Sequence, residues 1–285
     1  MVPETYSAKS CASASLTAML FLIGPVLSFP GEVLAEGGAV QVKYSSQPIE
    51  RVGSKASSPE ELAVELNEEG VELVFQGEKE KGIAKIKQGL AQDPKNATIL
   101  YNLSGLYLTN DEPEKAIPLL KEALEIHPKD LAFLNRLAEA YFASKELESA
   151  ASTFERIIEI DPSYKEVLLK LGTLYGVTRQ WEKAEQTLRR AHSIQQDDPK
   201  VLSSLGSILI VREQYGEALE LLKRAHGVEK TSDNAMSMGV AAESLGDLES
   251  ALKYYREAKQ LGHTQEDLDA HLEEIQKQLA ETKEK

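Results

Sequence analysis

The sequence predicts an all-α solenoid of antiparallel helical hairpins. Three observations carry that expectation. Small residues recur every 34 positions, at Gly82, Ala116, Ala150, Ala184 and Ala218, with a last step of 33 to Ala251. Between them, apolar residues recur at helical spacing in pairs of stripes. Asp-Pro or His-Pro pairs at 93–94, 127–128 and 161–162 stop the second stripe of a unit and restart the chain.

Each unit follows from the same physics. One hairpin cannot bury both its apolar stripes, whereas a stack of hairpins can. Small residues are needed where two helices cross closely. Leu134, Leu137, Ala138, Tyr141, Ala150, Phe154 and Ile157 form one full copy, and Leu168, Leu171, Gly172, Tyr175, Ala184, Leu188 and Ala191 another. Trp181 and Tyr215 each open a second helix. Three departures from the pattern are expected to matter. Gly82 and Gly89 cost up to about 1 kcal/mol each in helix propensity and weaken the first unit. Pro118 falls inside a second helix and is expected to kink or delay it. His226-Gly227 and Gly262-His263 stand where closing prolines are missing, and are expected to end their helices.

The organisation reads in four parts. Residues 1–35 carry no charge from Ser10 to Gly31, an apolar core at Leu16–Phe29, and Val33 and Ala35 before a candidate cut. That is the layout of a secretory signal, with an uncleaved N-terminal anchor as the alternative. Residues 36–59, rich in Gly, Ser and Pro, read as a flexible linker. Residues 60–265 hold six repeats. Residues 266–285 read as a C-terminal capping helix and polar tail, with Leu268, Leu272, Ile275 and Leu279 on one stripe and a Thr264/Asp267 capping box at its start.

Composition narrows the function. The 285 residues carry a formal charge of −14, which disfavours nucleic acid and anionic bilayers and favours basic partners. A single cysteine, Cys11, excludes intrachain disulfides and multi-thiolate metal sites. The five histidines form no local ligand pair, and those at helix ends read as complements to the helix dipole. No phosphate-binding glycine loop or nucleophile elbow occurs. Glu61, Glu65, Glu68, Glu69 and Glu72 read as a solvated helix face. No catalytic group, metal or cofactor is therefore expected, and hairpins and cap leave no room for a catalytic domain.

The 34-residue pattern, with Leu171-Gly172, Tyr175, Ala184, Leu188 and Ala191 at its centre, resembles the tetratricopeptide repeat over about residues 63–265. The resemblance implies a right-handed superhelix whose first helices line a concave face, and a non-catalytic scaffold or adaptor that binds a protein or peptide there. Carried over position by position, it offers Asn67, Val71, Phe75, Tyr101, Leu108, Asn135, Phe142, Leu169, Val177, Ile210, Val211 and Met236 as the partner-binding groove. Asn67 and Asn135 match the chaperone-binding subclass, whose basic groove residues are not matched, and Leu169 and Tyr101 stand where charge would be needed. The expected partner is a peptide, such as an amphipathic helix with a basic flank, met after export to the periplasm or outside the cell. A membrane-tethered adaptor of an envelope assembly and a targeting module of an enzyme complex are the alternatives. Homo-oligomer formation is left open.

Overall fold

The computed structural model describes residues 58–264 and 268–283, and among them every regular element is a helix. The expected signal at 1–35, most of the 36–59 linker and Asp267 of the capping box lie outside the described residues. Thirteen described helices follow one another: α1 (Pro59–Phe75), α2 (Lys79–Gln92), α3 (Ala97–Thr109), α4 (Pro113–Ile126), α5 (Leu131–Ala143), α6 (Leu147–Ile160), α7 (Lys165–Val177), α8 (Trp181–Ile194), α9 (Pro199–Val211), α10 (Tyr215–Val228), α11 (Ser232–Ser244), α12 (Leu248–Gln260) and α13 (Leu268–Lys283). Contacts group them into two units, divided between Pro162 and Ser163. In the first unit α1–α2, α3–α4 and α5–α6 are hairpins. In the second, α7–α8, α9–α10 and α11–α12 are hairpins, and α13 packs on α12.

Within each unit the stack follows one rule. A second helix packs on the first helix of the next hairpin, as α2 does on α3 and α8 does on α9. First helices of neighbouring hairpins also touch: α3 with α5, α7 with α9, and α9 with α11. The core lies between them. Ile86, Leu100, Leu120, Leu134, Phe154 and Ile157 are buried in the first unit, and Leu168, Leu174, Leu188, Leu222 and Tyr255 in the second.

Helix ends obey the same period. Ser58, Asn96, Asp130, Asp198 and Thr231 each accept a backbone N–H of the first turn that follows them. At the equivalent place before α7, Tyr164 makes no side-chain cap. The first helix of every hairpin ends in a Schellman turn, with the sixth residue donating back to the first, as in Glu146 N to Tyr141 O at 2.8 Å and Asp247 N to Ala242 O at 3.0 Å. The turn needs a left-handed residue. Gly77 and Gly246 supply it at φ 86° and 80°, but Asp111, Lys145, Arg179 and Glu213 supply it at 58–63°.

The glycine departures have a steric reason. A methyl group at Gly82 would lie 2.5 Å from the Gly70 carbonyl oxygen, and one at Gly89 would lie 2.7 Å from that of Ala63. The backbones of α1 and α2 approach so closely that alanine does not fit. In later hairpins the crossing glycine faces a side chain instead: Gly172 meets Leu188, Gly206 meets Leu222 and Gly239 meets Tyr255, all at 2.4–2.7 Å from the missing methyl.

Two expectations are corrected. Pro118 does not delay α4, which starts at Pro113 in register with its neighbours and runs unbroken to Ile126. Pro118 is exposed, so the carbonyl it leaves without a donor is on the solvent side. His226-Gly227 does not end α10, which continues to Val228. Gly262-His263 does end α12, with Gly262 left-handed at φ 91° and His263 N bonded to Ala258 O.

Candidate functional site: the exposed face of the first helices

A first helix that packs on both its own partner and its neighbours has only a narrow strip left for anything else. The residues on that strip can be sorted by burial. Asn67, Val71, Ile210 and Met236 are buried and belong to the packing, so the structure withdraws them from the accessible surface. Tyr101, Leu108 and Asn135 are half-buried, as are Phe142, Leu169, Val177 and Val211. Phe75 is 65% exposed, near the end of α1. Trimming the groove in this way follows from register: a position that lines one repeat is pressed under the neighbouring first helix in another.

In the first unit these residues lie on three successive first helices, α1, α3 and α5. Asn102 on α3 donates from Nδ2 to Asn67 Oδ1 on α1 at 3.2 Å, a buried bond between adjacent first helices. The Asn102 Oδ1 atom is itself buried with no hydrogen-bond partner. On α5, Asn135 donates to Glu139 at 3.0 Å.

Next to Asn135 lies a residue that the sequence reading passed over. The Arg136 guanidinium stacks on the Tyr101 ring at 3.4 Å from its centroid and donates to the Tyr101 carbonyl at 2.7 Å. The Tyr101 ring also meets Phe133 edge-on at 5.6 Å. Gly105 makes room for the guanidinium, since a methyl there would lie 3.0 Å from Arg136 Nη1. Burial holds Arg136 below the ordinary arginine value, opposed by Tyr101 and Glu139. The expectation that basic groups are missing from this face is thus corrected at one position. Arg136 stands 34 residues after Asn102 and one after Asn135, so the period itself could have flagged it.

In the second unit the strip is more apolar. Leu169, Val177 and Val211 are half-buried, with the hydroxyls of Thr173 and Ser207 turned back onto their own helices at Leu169 O and Ser203 O. At the C-terminal end of the second unit, half-buried Glu243 of α11 meets α13. There His271 Nε2 is 2.9 Å from a Glu243 carboxylate oxygen, and Tyr255 donates to that same oxygen at 2.7 Å.

The histidines are distributed as packing groups. His226 is buried, with Nε2 at 3.1 Å from Glu257, and its bond is the main reason that carboxyl lies below its usual range. His127 stacks on Phe133 at 6.4 Å. Among the described residues no group of three His, Cys, Asp or Glu is placed to hold a metal ion. Among them no helix is long and apolar enough to cross a membrane.

Comparison with known proteins agrees with this geometry. Models of the tetratricopeptide repeat match residues 67–130, 108–162, 146–208 and 234–261. Searched against curated proteins, the chain finds no match. Similar solved structures include PilF of Pseudomonas aeruginosa (19% identity, 76% of this chain and 99% of that one, TM-score 0.60). YrrB, described as a tetratricopeptide repeat protein with an unusual peptide-binding site, is 19% identical over 66% of this chain and 97% of its own, at a TM-score of 0.58. A MamA structure is 25% identical over 56% of this chain and 93% of that one, at 0.53. The chain belongs to the tetratricopeptide repeat family, whose fold is a non-catalytic scaffold for protein and peptide partners.

Proposed function

We propose that this scaffold holds a peptide segment of its partner against the half-exposed strip of first helices in the 58–162 unit. The supporting observation is the set Phe75, Tyr101, Leu108, Asn135, Arg136 and Phe142, which the core leaves accessible on three successive first helices. Apolar burial on Phe75, Leu108 and Phe142 supplies the binding energy, as in an amphipathic helix laid in a groove. Arg136, part-buried against Tyr101, is the polar fixture of this strip and donates to a carboxylate of the partner. The charge of −14 steers a partner with a basic flank and speeds its approach.

The N-terminal reading places this scaffold outside the cytoplasm. It rests on the uncharged run from Ser10 to Gly31 and the small residues Val33 and Ala35. Sequencing the N-terminus of the mature protein tests it: a start at Glu36 supports export with cleavage, a start at Met1 or Val2 supports the tethered alternative.

The binding reading is tested with the 36–285 chain and a partner captured from the native envelope. Phe75→Ala combined with Phe142→Ala is expected to weaken binding by about 2 kcal/mol or more, roughly thirtyfold, with helix content unchanged. Salt is expected to slow association more than it speeds dissociation. Unchanged affinity in a folded double variant would move the site to another face.

A further inference from the structure

The C-terminal helix α13 ends the array by laying Leu268, Leu272 and Ile275, all buried, on the last hairpin. An end cap needs no more than such a stripe. Here a titratable cluster is added. Glu243, in the last turn of α11, is half-buried. His271 of α13 meets it at 2.9 Å and Tyr255 of α12 at 2.7 Å, both on one carboxylate oxygen. The Tyr255 and His271 rings pack edge to face at 5.2 Å. Three helices are thereby joined through one carboxylate. Gly239 makes room for the Tyr255 ring, since a methyl there would lie 2.4 Å from it.

We propose that α13 is a pH-operated cap, latched onto the last hairpin by Glu243, His271 and Tyr255 and loosened when the His271 imidazolium gives up its proton. The other charged groups facing this cluster are few. Glu274 lies one turn further along α13 and favours the imidazolium. Lys259 of α12 pairs with Asp269 of α13. His263, just ahead of α13, faces Asp233 at the other end of α11, so within the cluster itself His271 is the group that changes state in the physiological range.

The directions of titration agree with the geometry. The hydrogen bond from Glu243 raises His271 above its ordinary 6.5, against a smaller opposing effect of burial. Burial pushes Glu243 upward, but the bonds from His271 and Tyr255 outweigh it and hold the carboxyl below 4.5. A raised histidine contributes stability that is fully present below its ordinary value and is lost as pH rises through its folded value. A lowered carboxyl contributes stability present above its ordinary value and lost as pH falls through its folded value. Docking of α13 is tightest between those limits. The cap loosens on the alkaline side and uncovers the apolar stripe and the end of the last hairpin.

Hydrogen exchange on the full chain, corrected for intrinsic rates, tests the latch. Between about pH 6 and pH 8.5, protection of α13 is expected to fall at least about threefold while that of α3 stays constant. His271→Gln keeps a hydrogen-bonding side chain and is expected to make α13 protection flat across that range. Glu243→Gln is expected to lower it at every pH. An NMR titration of the parent provides the second readout: the His271 ring is expected to titrate above the ordinary histidine value of 6.5. Protection that does not change with pH in the parent, an equal fall in His271→Gln, or a His271 ring titrating at or below 6.5 would each overturn the proposal.

Discussion

Gly82 shows how far a local rule carries. By helix propensity it is a fault, and alanine there should gain up to about 1 kcal/mol. In the folded chain its missing methyl would lie 2.5 Å from both the Gly70 carbonyl oxygen and Val74 Cγ2. Overpacking of that kind typically costs about 1–3 kcal/mol and exceeds the propensity gain. Gly82→Ala is therefore expected to lower the urea midpoint. Gly216→Ala, where nothing lies within 4 Å, is expected to leave it unchanged or raise it slightly. Arg136 makes the same point from the other side. Its residue type announces a surface cation, whereas Tyr101 and the gap at Gly105 turn it into a stacked and largely covered one.

At the scale of the element, the turn inside each hairpin is where the repeats tolerate imperfection. All six use a left-handed residue, and four of them place Asp, Lys, Arg or Glu there. A side chain in that conformation costs about 1–2 kcal/mol, partly offset by the entropy that glycine would add to the unfolded chain. Lys145→Gly is expected to stabilise the protein by up to about 1 kcal/mol, read as a rise in the thermal midpoint. Lys145 is exposed and carries none of the packing, so a fall would mean that its side chain does more than the geometry indicates. Gly77 and Gly246 lie five repeats apart at this position, and their coincidence with the period was the available signal for the turn.

For the whole molecule, charge and repetition set the behaviour. Forty-six acidic side chains against 32 basic ones leave the chain repelling itself. Ion pairs on the second unit act against that: Arg189 bonds Glu185 on its own helix and Glu217 across the repeat, and Arg212 reaches back to Glu182 and Glu185. Hydrogen bonding to Arg189 holds the Glu217 carboxyl below its usual range. Exposed pairs of this kind are worth at most about 1 kcal/mol each, so net repulsion is expected to dominate. Raising sodium chloride from about 20 mM to about 300 mM is then expected to raise the thermal midpoint by a few degrees. A midpoint that falls with salt would show that the ion pairs outweigh the repulsion.

The sequence by itself determined the fold class, the 34-residue register and several helix boundaries. Trp181 and Tyr215 open α8 and α10, and the Asp-Pro and His-Pro pairs close α2, α4 and α6, because those signals act within a few residues of themselves. It also determined the core stripe, since burial in a stack repeats with the period, but not the whole groove, of whose twelve expected residues Asn67, Val71, Ile210 and Met236 are buried. What it could not determine was anything set by two repeats meeting. Asn67 and Asn135 occupy one repeat position, yet Asn67 is buried in a bond to Asn102 while Asn135 remains accessible beside Arg136. Glu243 and His271, 28 residues apart, meet only because α11 and α13 both pack on α12. Propensity and capping are local energies and can be read along the chain. Close approach, stacking and ion pairing depend on distance in space, and only the tertiary structure decided them.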